Sequence, residues 1–282
     1  MRALLRSAAI CACLLNVALA VTPVDGESMS KMVKAGGANL ALAAQPMWFF
    51  SRAKGNPSCY PTSAIDAHGS QKPAAPLCAY PDTGCGCRQA GVKVGRPGPR
   101  FPVYYSFKQC NETELRVAYN LFYEKDGCSP EGLAGHPYDW ERAIVVWGKG
   151  GDTKWVPSQL MLSQHNGYQT LSWGEIKNTF KTGDGKRARG GKDGHRNRDH
   201  AKVYVSWSKH AQYDTRKTGW YDLLSQVTGL AYRSDDWWYF PVKGDYVLAD
   251  PSTKIGQKIA GFEWGFAESF PGKVHEGLCE AT

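Results

Sequence analysis

Six short runs of apolar, aromatic and β-branched residues, set between clusters of Gly, Asn and Asp, constrain this chain more than any other feature: 101–107, 115–123, 142–147, 159–163, 168–173 and 202–207. Runs of this composition bounded by turn formers are the pattern of strands joined by loops. An antiparallel sandwich or a barrel-like sheet is the expected architecture. Trp237-Trp238-Tyr239-Phe240 extends the series: in a strand, alternation would bury Trp237 and Tyr239 on one side and expose or half-bury Trp238 and Phe240 on the other. Helices are expected only at the periphery, at 220–229, at 254–260, and at 38–45, where Pro46 would end one. No repeat period is present.

The amino terminus carries Arg2 and Arg6, an apolar run from Ala8 to Ala20, and Ala18-Leu19-Ala20 as a small-residue cleavage signature. Residues 1–20 therefore read as a secretory signal peptide, residues 21–57 as a weakly patterned N-terminal segment, and 58–282 as one large domain. The apolar run is shorter than the roughly 20 residues that cross a bilayer. The expected product is secreted and extracellular. Removal of the leader discards Cys11 and Cys13 and leaves seven cysteines, Cys59, Cys78, Cys85, Cys87, Cys110, Cys128 and Cys279, which in an oxidising compartment are disulfide candidates. Seven is odd, so one thiol stays free or pairs between chains; the connectivity is open at this level. Cys85-Gly86-Cys87 lacks the second ligand pair of a zinc ribbon, and 59–99, rich in Pro, Gly and Cys, reads as an irregular disulfide-tied lobe. Asn111-Glu112-Thr113 is a glycosylation sequon, with Asn111 the acceptor on an exposed loop.

Without the leader the formal charge of +8 becomes +6, and 181–198, with seven Lys or Arg against two Asp, holds +5 of it. The excess is thus one local run, Lys186 to Lys192, embedded in glycine. It reads as a mobile solvated loop, with attraction to an anionic membrane or glycan surface as the sharper alternative. An exported chain has no use for a nucleic-acid partner.

The segment Gly135-His136-Pro137-Tyr138-Asp139-Trp140-Glu141 places one imidazole and two carboxylates within six positions. If it runs extended from Asp139, Asp139 and Glu141 share a face and Trp140 points to the other, while His136 stands at the strand entrance before a turn at Pro137. Oxygen-rich donors of this kind suit a hard divalent cation, Ca²⁺ or Mg²⁺, better than Zn²⁺. A glycoside hydrolase is the rival reading, with Asp139 and Glu141 as acid and nucleophile or base. Against it, both would approach a sugar from one strand and one side, whereas such carboxylates flank the bond.

This segment, followed by Ala143 to Trp147, resembles the Gly-His-Arg-His-Asp-Trp-Glu signature of the necrosis- and ethylene-inducing peptide 1-like proteins, the NPP1 domain family. Collinear segments agree: Cys59-Tyr60-Pro61, Leu121 to Asp126, His165-Asn166-Gly167-Tyr168, Val203 to His210, and Asp235 to Pro241. The resemblance spans about Cys59 to Cys279. It implies a mainly β fold, an antiparallel β-sandwich similar to fungal lectins and actinoporin-type cytolysins with a few peripheral helices, and a divalent cation in an acidic cavity at one edge. It implies a non-enzymatic effector, a monomer, that binds glycosylinositol phosphorylceramide headgroups on the outer face of the plant plasma membrane and damages it. By position the cation ligands would be Asp126, His136, Asp139 and Glu141. Tyr138, His165 and Tyr168 would border the ligand cavity, and the bridge of the simplest members would join Cys59 to Cys85 or Cys87. The chain departs from the family's best-known form in having Pro137 and Tyr138 where Arg and His stand, and in an apparent insertion, Gly127-Cys128, after Asp126. These departures leave open a non-cytotoxic, cation-dependent, lectin-like protein.

Overall fold

The computed structural model describes residues 21–164, 167–216 and 230–282. The leader and the helix expected at 220–229 lie outside these residues. The six expected strands are all present, and several are longer than the apolar runs. The first sheet takes β5 (Val103–Asn111), β6 (Glu114–Gly127), β7 (Gly135–Lys149), β8 (Trp155–Gln164) and β9 (Gly167–Ser172) in antiparallel order, with β14 (Tyr246–Leu248) parallel to β5 at its edge. β7 begins at Gly135, so His136 and Pro137 lie inside a strand and not in a turn before one.

The second sheet is mixed. β1 (Met47–Phe50) runs parallel to β11 (His200–Val205) and antiparallel to β13 (Trp237–Tyr239), which in turn runs parallel to β4 (Arg96–Pro97). β10 (Thr179–Phe180) and β12 (Gln212–Tyr213) complete it on β11. β2 (Arg52–Ala53) and β3 (Asn56–Pro57) form a separate small ribbon. The 21–57 segment is more structured than its pattern suggests: it supplies a helix, α1 (Gly26–Lys34), a second, α2 (Ala38–Ala43), and the central strand β1. α1 is capped by Asp25, whose carboxylate accepts from the Ser28 amide.

The main core lies between the sheets, where Trp48, Phe50, Tyr119, Val145, Leu160 and Val203 meet. Burial does not stop there. The outer face of the first sheet, with Tyr104, Phe122, Trp140, Ile144 and Met161, is covered by the C-terminal region, including α3 (Lys254–Ala260) and α4 (Pro271–Glu276). A sheet covered on both faces is written as nearly continuous apolar sequence, which is why Leu121-Phe122-Tyr123 and Ala143 to Trp147 show so little alternation. On the outer face of the second sheet Met47, Phe49, Phe180, Tyr204 and Trp238 form a further cluster with Phe240 packed on it. Alternation along β13 therefore holds, but Trp238 is buried in a cluster of its own.

Three disulfides join Cys59 to Cys87, Cys78 to Cys85, and Cys110 to Cys279. The first two tie the irregular lobe, which is further pinned to β6 by the buried Lys125, whose Nζ donates to the carbonyls of Pro76 (2.7 Å) and Cys85 (2.8 Å). Cys128 is the free thiol, and it is buried. Asn111 sits exposed at the β5–β6 turn, its Oδ1 accepting from the Thr113 amide. The basic run is not a free loop: short 3-10 turns shape Thr182–Lys186 and Ala188–Gly190, Arg187 pairs with Asp184 (3.0 Å), and Arg189 pairs with Asp235 (3.1 Å).

Candidate metal centre

The antiparallel register of β6 and β7 sets Leu121 opposite Glu141, Tyr123 opposite Asp139, and Asp126 opposite His136. Alternation sends Phe122 and Trp140 outward, their rings 5.1 Å apart and Trp140 edge-on to Trp264. Asp139 and Glu141 take the other face, as their spacing requires. Strict alternation would also separate His136 from Asp139. The backbone at Tyr138 is left-handed, with φ 60°. There the alternation is interrupted, and Asp126, His136 and Asp139 open onto one cavity.

That cavity has a volume of about 460 Å³; Glu141, Ser163, Tyr168 and Lys209 also line it, and residues 266–269 form the wall from the C-terminal region. Two of its lining carboxylates form a triad with the buried His210 behind them. Asp126, Asp139 and His210 each present a donor atom within 4.8 Å of the others. His210 Nδ1 is hydrogen-bonded to Asp139 Oδ2 at 2.9 Å and lies 3.7 Å from Asp126 Oδ1, and its ring stacks on Tyr123 with centroids 3.9 Å apart. His136 Nε2 is 3.7 Å from Asp126 Oδ2, and Lys209 Nζ is 3.2 Å from the same oxygen. Glu141 stands just outside the triad and accepts a hydrogen bond from the Ser163 hydroxyl.

The electrostatics follow from burial. Asp139 is pushed well above the usual carboxylate range by desolvation and then by Asp126; Glu141 is raised by desolvation and then by Asp139. Burial lowers His210 to about 4, so its imidazole is neutral and able to act as a ligand. Asp126 Oδ1 and His210 Nε2 are buried without a hydrogen-bond partner. Crowded carboxylates, buried polar atoms without partners and donors close enough to share one ion at about 2.0–2.6 Å all fit a divalent cation.

The expected site residues divide accordingly. Asp126 and Asp139 are brought into the triad, His136 stands beside it, and Glu141 lines the cavity one step away. Tyr168 is on the wall, its hydroxyl accepting from Arg142 Nε at 2.5 Å. Tyr138 is not on the wall: its ring packs against Phe122 and Trp264 in the outer aromatic cluster. His165 lies outside the described residues. His210 and Lys209 went unrecognised in the sequence; their signal was the Ser208-Lys209-His210 end of a segment already seen to match the family.

Comparison with known proteins places the fold and the family. A family model for necrosis inducing protein (NPP1) matches residues 49–197. A structure of NLPPya in complex with glucosamine superposes with a TM-score of 0.51 at 15% identity, covering 93% of this chain and 95% of that one. NLPPya in complex with mannosamine gives 0.52 at 15% identity over the same shares. A structure described as a toxin fold for microbial attack and plant defense gives 0.49 at 14% identity, covering 93% of each chain. No curated protein sequence matches significantly. The likeness to NLPPya is one of fold, mostly β with few helices. With the family model matching residues 49–197, more than half of its length, this chain belongs to the necrosis inducing protein (NPP1) family.

Proposed function

We propose that this protein is a secreted effector that holds a divalent cation, Ca²⁺ or Mg²⁺, in the Asp126–Asp139–His210 cavity and uses it to bind a sugar headgroup of a plant membrane glycosphingolipid, with damage to the membrane as the outcome. The observation that carries the reading is the buried acidic triad opening into a cavity of about 460 Å³. A cation with open coordination positions chelates a sugar diol, and Glu141 and Tyr168 stand on the wall where ligand hydroxyls would lie. The amino sugars bound by NLPPya support a saccharide as the ligand class. Two of the most exposed large apolar side chains, Leu133 at 83% and Phe266 at 72%, flank His136; Leu133 precedes it by three residues, and the Phe266 ring is 5.9 Å from its ring. Such groups beside a headgroup site suit contact with a bilayer.

The action is non-enzymatic in this reading. Asp139 and Glu141 lie on one strand and approach any sugar from one side, which does not provide the flanking pair of a glycosidase. Calcein leakage from vesicles containing plant glycosylinositol phosphorylceramide, with and without EDTA, tests cation, lipid and membrane together. Leakage that EDTA stops is the expected result. Leakage indifferent to EDTA, or equal from phosphatidylcholine vesicles, would overturn the cation-dependent route. Reducing-sugar release abolished by Glu141→Gln would restore an enzyme.

A further inference from the structure

The outer face of the second sheet carries a groove of about 410 Å³ that shares no lining residue with the cation cavity. Its floor is aromatic, made by Trp238 and Phe240, with Tyr239 between them turning its ring to the inner core, and its walls are basic. Arg96 comes from the edge strand β4; Lys186 and Arg187 come from the turns that follow β10. No acidic side chain lines the groove. Arg187 is paired with Asp184, whereas Arg96 and Lys186 are exposed and make no ion pair among the described residues.

The groove is held in shape. Arg189 lies over the Trp238 ring, 5.3 Å from its centroid, and is anchored by Asp235. The Gly185 backbone presses on Phe240 so closely that a Cβ there would stand 2.4 Å from the ring. Lys186 is thus fixed beside the aromatic floor.

We propose that this groove binds an acidic oligosaccharide, a chain of carboxylated sugars. The half-buried Phe240 is the ring left to meet the apolar face of a pyranose, since Arg189 covers Trp238, and guanidinium and ammonium groups on the walls pair with carboxylates along such a chain. The sunken floor favours this over a lipid surface: Trp238 is 8% exposed and Phe240 is half-buried, which a slender saccharide reaches and a bilayer face does not. The neighbouring Lys192 and Arg189 extend the positive field and steer the ligand in.

The test is calorimetric titration of the full chain with an oligogalacturonate, a maltooligosaccharide of equal length, and phosphatidylserine vesicles. EDTA is present throughout, so that neither uronate-bound ions nor the cation cavity takes part. The uronate should bind with a salt-dependent affinity and the neutral glucan should not. Arg96→Gln with Lys186→Gln should weaken binding about tenfold, the loss of two charge-assisted contacts, at an unchanged melting temperature because both side chains are exposed. Lys192→Gln, outside the groove, should change it less than about twofold. Undiminished binding by the double variant, equal binding of the neutral glucan, binding of the vesicles alone, or no binding overturns the proposal.

Discussion

The molecule handles charge in two opposite ways. In the cation cavity, carboxylates are buried together and meet few positive groups, so their charge is held at a cost in stability. In the basic segment after β10 the charges stay near the surface and many are matched: Arg187 and Arg198 with Asp184, and Arg189 with Asp235. The first arrangement suits a ligand site; the second shapes a surface at little energetic stake. Removing a charge should therefore have very different effects in the two places.

The largest effect is expected at Asp139. Asp139→Ala removes one donor of a three-donor cluster, and Ca²⁺ or Mg²⁺ affinity by calorimetry should fall about a thousandfold or more with the sandwich still folded. An unchanged affinity would remove the cation site and erase the contrast.

Next comes His200, a buried imidazole beside the basic segment, hydrogen-bonded to the Gln45 carbonyl (3.0 Å) and to Thr182 Oγ1 (3.0 Å). Burial lowers it to about 4. Its pKa is thus depressed on folding, so its contribution is present above the unfolded value near 6.5 and is lost as pH falls toward 4, on the order of 3 kcal/mol in all. Melting curves of His200→Gln should show a weaker acid dependence than the parent. Parallel curves would mean that this histidine is not what titrates.

A smaller effect, of opposite sign, is expected from Asp139→Asn in EDTA. The folded carboxyl is raised, so its stabilising protonated form persists below the unfolded value, and the stability is lost as pH rises through the folded value. The amide cannot ionise. The cation-free variant should melt above the parent at neutral pH, and the gap should close as pH falls into the ordinary carboxylate range. A lower melt at neutral pH would show that the acids are not in conflict. Smallest of all, Arg189→Ala should cost less than about 1 kcal/mol in chemical denaturation, because its ion pair with Asp235 is partly exposed. A larger loss would make the basic segment a structural keystone.

The sandwich was legible because its strands are written as apolar runs, and α3 coincides with its expected span. What the pattern missed has physical reasons. β7 starts seven residues before its apolar run because His136, Asp139 and Glu141 occupy strand positions that a periodicity reading expects to be apolar. β1 was hidden because its four residues, Met47 to Phe50, are buried on both faces and show no alternation. Parallel pairings such as β1 with β11 leave no local trace, since a strand's composition does not say which way its neighbour runs. In the site, the heptapeptide stood out by its own residue types, and Asp126 was found through the resemblance. His210 was not, because it joins Asp139 across 71 residues and no short spacing links the two. Tyr138 was misplaced because a left-handed backbone at a tyrosine is not visible in residue order.

The bridge between Cys110 and Cys279 has one more consequence. It closes a covalent ring across a sequence separation of 169 residues, containing β6 to β14, both cavity walls and the Lys186 side of the basic groove. A protease that cuts once at the exposed turns near Lys186 opens the ring but releases no fragment. The nicked protein should migrate as one species on a non-reducing gel and as two after reduction, its pieces still held in place for whatever the cavity binds.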